Sequence, residues 1–186
     1  FWFRLLDLYV VLMLAVVSLL LTSENQQIAW WMMAVMTLII PLVYQLLPWL
    51  LRLLQGRLPQ RFAGTLVKVR EALPDSWRLL AITSVWTLIN WTVKLAAFAW
   101  VIGQFIAVPD GLALLGAIGG ELSSVLPIHG IAGAGTYEAG VAAALLPTGL
   151  AYRDVALAAV NLHLFLLSCV LLSGLMGYLL PGRRIS

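Results

Sequence analysis

Within Pro127-Ile-His129-Gly130-Ile-Ala-Gly133-Ala-Gly135-Thr136-Tyr-Glu138-Ala-Gly140, a helix stop, a run of glycines, an imidazole and a carboxyl interrupt an otherwise apolar region. Backbone N–H groups near Gly133, Gly135 and Thr136, at the start of a helix, would make a cradle for an anionic group, which Gly130 and His129 would border. Glu138, in the first turn of that helix, either caps the helix end or acts as a proton-linked gate. Glu121 and His163 are further candidate gates, since each places an ionisable group in an apolar helix. Lys94, inside another apolar run, needs an anionic partner. That partner is either a carboxyl such as Glu121 or Glu138, or a lipid phosphate. No His-x-x-x-His or Glu-x-x-His spacing links these groups, so no metal site and no cofactor is expected. Ser123-Ser124 lacks a nucleophile-elbow pattern, and no catalytic constellation is found, which leaves enzymatic activity undecided.

These groups have to be positioned by a chain that is 62% apolar and only 10% charged, with eight tryptophans among 186 residues. Its mean hydropathy of +1.00 is too high for one soluble core to hide the apolar surface. The composition indicates an integral membrane protein. Its net charge of +3 comes mainly from Lys and Arg gathered in one loop, which points to topology and anionic lipid headgroups and implies no nucleic-acid partner. The single cysteine, Cys169, excludes an internal disulfide and a Cys-based metal cluster.

The apolar runs predict spanning helices over about 5–22, 28–51, 79–108 and 155–180. Pro41 and Pro48 are expected to kink the second, and Gly103 offers the third a place to bend. Between the second and third, the 52–78 loop holds Arg52, Arg57, Arg61, Lys68, Arg70 and Arg78, six of the eleven basic residues, which places it on the cytoplasmic side. Phe62, Leu66, Val69 and Leu73 recur there at helical spacing, as on a helix that lies along a membrane or docks a soluble partner. Residues 112–148 make two apolar pieces, each too short to cross a bilayer, joined at the glycine-rich break. A re-entrant hairpin that enters and leaves on one face accommodates both. It also puts Arg183 and Arg184 on the same side as the basic loop. The Gly116-x-x-x-Gly120 spacing suits close packing of the two halves. The fold class expected is therefore all-α, a polytopic membrane helix bundle with a re-entrant helical hairpin, forming a single membrane domain over 1–186. The start at Phe1-Trp-Phe-Arg4, without an initiator methionine, reads as the C-terminal part of a longer chain.

The stretch from Glu121 to Gly140, together with Asn161-Leu-His163-Leu downstream, resembles the flippase-like membrane domain of lysylphosphatidylglycerol synthases and related membrane proteins. In that family a Leu-Pro, a glycine run and a Gly-x-x-Glu occur in the same order. Many members have Pro-Gly-Gly where this chain has His129-Gly130-Ile131, and an arginine near the position of His163. The resemblance covers roughly 112–180. It implies a multi-pass domain of the bacterial inner membrane that binds or translocates anionic phospholipids or polyprenyl-linked lipids. The alternative is a non-catalytic subunit that presents a lipid acceptor to a cytosolic aminoacyl- or glycosyltransferase docked on the basic loop.

Overall fold

The computed structural model describes residues 2–22, 26–55, 74, 76–124 and 131–179. Among these the chain is all-helical, with α1 (Trp2–Thr22), α2 (Gln26–Gln55), α3 (Trp77–Gly103), α4 (Asp110–Ser123), α5 (Thr136–Leu145) and α6 (Tyr152–Leu179). Short 3-10 turns at Ile131–Gly133 and Leu146–Thr148 flank α5. Residues 56–73, which include Arg57, Arg61, Lys68, Arg70 and the amphipathic 62–73 pattern, lie outside the described residues, as do Pro127, His129 and Gly130.

Four of the helices, α1, α2, α3 and α6, are long and apolar enough to cross a membrane. The other two are not: α4 has 14 residues, about 21 Å, and α5 has 10, about 15 Å, against a hydrocarbon core of about 30 Å. Hydropathy marks the apolar runs but not where the backbone stops being helical. The third run, expected to reach 108, leaves the helix at Gly103, where the N–H groups of Gln104 and Phe105 bond three residues back to the Val101 and Ile102 carbonyls. Pro109, extended at ψ 145°, then becomes the N-cap of α4. In the second run Pro41 and Pro48 sit inside one helix that extends to Gln55.

The chain divides into two compact units, residues 1–94 and 95–186. In the first, α1 packs on α2. Leu6, Val10 and Leu14, four residues apart on one face of α1, are buried, so burial follows the helical repeat. The Tyr9 hydroxyl donates to the Met36 carbonyl. Trp91 Nε1–H on α3 donates to Asp7 Oδ1 at 2.9 Å, and the Lys94 ammonium lies 4.6 Å above the Trp91 ring. An indole thus satisfies a carboxylate through its edge and a cation through its face.

In the second unit α4 and α5 pack against each other, and α5 packs on α6. Gly116 faces Leu145, Gly119 faces Gly140, and Gly120 faces the Tyr137 ring, so numbers rising along α4 meet numbers falling along α5 and the two run antiparallel. At the centre the backbones touch: a Cβ on Gly119 would fall on the Gly140 carbonyl oxygen, and a Cβ on Gly140 would fall on that of Gly119. Only glycine at both positions permits this approach. Leu95, Ile102, Ala117, Ile118, Val141, Leu145, Val155, Ala158, Ala159 and Leu162 close the core around it.

Candidate functional site

The site is built at the N-terminus of α5. Gly135, its N-cap, has φ 83°, a conformation glycine adopts at little cost. This turns its N–H toward the side chain three residues on, and Glu138 Oε2 accepts it at 2.7 Å. A carboxylate here satisfies a donor that the first turn leaves open and also meets the positive end of the helix dipole. Thr136 Oγ1 ties the preceding turn down by donating to the Gly133 carbonyl at 2.9 Å.

The other carboxylate oxygen, Glu138 Oε1, lies 2.7 Å from His163 Nδ1 on α6. The far side of the ring, Nε2, is 3.1 Å from the Ala132 carbonyl oxygen, to which it donates. The ring therefore ties α6 to α5 and to the 3-10 turn before it. Ala132 is held at φ 55°, ψ 25°, the left-handed region that costs a residue with a Cβ about 1 kcal/mol. The Tyr137 ring stacks on His163 with centroids 4.9 Å apart and planes at 30°. Its own outer edge presses on Gly120 of α4. The pair is partly shielded, with side-chain exposures of 6% for His163 and 23% for Glu138.

The structure thus brings together Gly133, Gly135, Thr136, Glu138 and His163 from the residues singled out in the sequence. Glu121 is buried on α4. Lys94 belongs to the first unit. The Gly135 N–H expected to greet an outside anion is taken by the chain's own carboxylate. Among the described residues no group of three or more His, Cys, Asp or Glu side chains is placed to hold a metal ion.

Sequence reasoning missed Tyr137 and Ala132. Tyr137 carried a usable signal, being the single Phe, Tyr or Trp between Phe105 and Tyr152. Ala132 carried none, because nothing in an Ala-Gly-Ala-Gly run marks the alanine that turns left-handed.

The Tyr137 hydroxyl is buried without a hydrogen-bond partner among the described residues. Tyr137→Phe keeps the stacked ring and removes an unsatisfied polar atom, so thermal unfolding in detergent should show stability unchanged or raised by about 1 kcal/mol. A loss of that size would mean that the hydroxyl is bonded in solution.

Comparison with family models, with curated proteins and with solved structures gave no match for this chain.

Proposed function

We propose that this chain is a multi-pass domain of the bacterial inner membrane in which α4 and α5 form a re-entrant hairpin, and that the site at Gly135, Glu138 and His163 binds an anionic phospholipid or polyprenyl-linked lipid and passes it across the bilayer. The observation that carries this reading is the left-handed break at 132–135, capped by a carboxylate and pinned by an imidazole on a helix as apolar as α6. Polar backbone at membrane depth is tolerated where it lines a protein-enclosed path, and broken helices are a recurrent means of building one. Two helices too short to span, packed antiparallel and falling between α3 and α6 in the sequence, suit that arrangement. The resemblance of Glu121–Gly140 to the flippase-like domain of the lysylphosphatidylglycerol synthase family favours the same substrate class.

The chemistry is an exchange of anions. A headgroup phosphate that displaces the Glu138 carboxylate would inherit the Gly135 N–H and a protonated His163, two donors already aimed at one negative charge. Gly133 and Thr136 would flank it, while His129, Gly130 and Lys94 are lipid contacts proposed from the sequence alone. Glu121 and His163 would gate passage.

The basic residues clustered over 52–78, of which Arg52 closes α2 and Arg78 opens α3, favour a second reading, in which the domain presents a lipid acceptor to a cytosolic transferase docked there. A reconstitution experiment separates the two. Purified protein is placed in liposomes with a fluorescent phosphatidylglycerol, and dithionite quenching reports headgroups reaching the outer leaflet. Movement faster than in protein-free vesicles supports translocation. Retained lipid binding without movement favours presentation, and the absence of both sinks both readings.

A further inference from the structure

The hydrogen bonds around His163 leave no freedom in the number of protons they require. The Ala132 carbonyl can only accept, so Nε2 must carry a hydrogen. At 2.7 Å, one further proton must then lie between Nδ1 and Glu138 Oε1, whether the pair is imidazolium with carboxylate or neutral imidazole with carboxylic acid. Glu138 Oε2 accepts from Gly135 in either case. With that proton gone, the two bonds cannot both survive. If the hydrogen stays on Nε2, the Nδ1 lone pair faces a carboxylate. If it moves to Nδ1, the Nε2 lone pair faces a carbonyl and Ala132 is released from α6.

We infer that the site binds a proton as part of its closed state, and that losing it frees the 131–135 segment from α6. The released segment includes Ala132, whose left-handed backbone gives it a conformational reason to leave once the bond is broken. The proton departs to water through the more exposed partner, Glu138. Among the described residues of the second unit, the titratable groups that face the pair are few. On α5 these are Tyr137 and Glu138 itself, and on α4 the buried titratable group is Glu121. The second-unit part of α3, residues 95–103, has no titratable side chain, and neither does 131–135. The inference stands apart from the proposed function: Gly135 stays bonded to Glu138 in either state, and what the proton controls is the tie between Ala132 and α6.

The decisive variant is Glu138→Gln. Its amide N–H donates to Nδ1 and its carbonyl accepts from Gly135, so both bonds are made with a neutral imidazole and no shared proton is needed. The full chain carries Cys169→Ser, to leave no native thiol, with a nitroxide on Ala134→Cys in phosphatidylcholine–phosphatidylglycerol liposomes. The nitroxide spectrum should be broad at acid pH and narrow as pH rises, and E138Q should keep it broad throughout. A spectrum insensitive to pH, or an E138Q response like the parent's, overturns the inference. Should E138Q fail to fold, the nitrogen shifts of 15N-labelled His163 in the parent decide the matter. Nε2 protonated at acid pH supports the inference, and Nε2 bare there overturns it. Release without lipid movement would retire the proposed function alone, and lipid movement without release would retire the proton inference alone.

Discussion

Replacing Gly140 by leucine should pull α4 and α5 apart and lower stability by about 3 kcal/mol or more, the upper end of what overpacking costs. The atoms in the way are the Gly119 carbonyl and the Ser123 Cβ, and a backbone carbonyl cannot rotate aside as a flexible side chain can. The helices would have to retreat toward the ordinary interaxial distance of about 8–10 Å. Tyr137 and Glu138 are within one turn of Gly140, so the site would be lost with the contact. Gly174→Leu on α6 is the control, since nothing lies within 4 Å of its Cβ position. That change should stay within about 0.5 kcal/mol of the parent. Thermal unfolding of the two variants in the same detergent checks the pair, and equal midpoints would mean that the glycine contact is not what joins the hairpin.

Glu138→Ala should cost about 3 kcal/mol, the lower end of the range for breaking a shielded charge pair, because Glu138 keeps some exposure. Three losses coincide: the Gly135 N–H loses its acceptor, the N-terminus of α5 loses its negative charge, and His163 loses its partner. Glu138→Gln keeps the first and third contacts and should stay within about 1 kcal/mol of the parent. In a double-mutant cycle with His163→Ala, the two alanine changes together should cost less than their sum by about 1–3 kcal/mol. Strict additivity, read by the same unfolding assay, would mean that the two side chains do not act on one another.

Much of this architecture can be read from the chain itself. Long apolar runs need helical backbone whatever surrounds them, so α1, α2, α3 and α6 follow from hydropathy and length. The capping role of Glu138 is equally local, since Gly135 and Glu138 stand at the two positions that such a cap occupies. The small residues at 116, 119 and 120 foretell a close neighbour without naming it. What could not be read is long-range. Trp91 and Asp7 are 84 residues apart, and His163 and Glu138 are 25 apart. Choosing among distant polar partners requires the tertiary packing. The stop at Gly103 was hidden for another reason: residues 104–108 are as apolar as a helix would be, and it is the three-residue hydrogen bonds of Gln104 and Phe105 that mark the end.

Among the described residues six indole rings, those of Trp30, Trp31, Trp49, Trp77, Trp86 and Trp100, are turned outward from their helices. On α2, Trp30 and Trp49 are separated by 19 helical residues, about 28 Å, close to the thickness of a hydrocarbon slab. On α3, Trp77 and Trp100 stand near the two ends and Trp86 between them. In a lipid bilayer these rings would be distributed over different depths, so their fluorescence would gauge how far each helix is immersed without any added label.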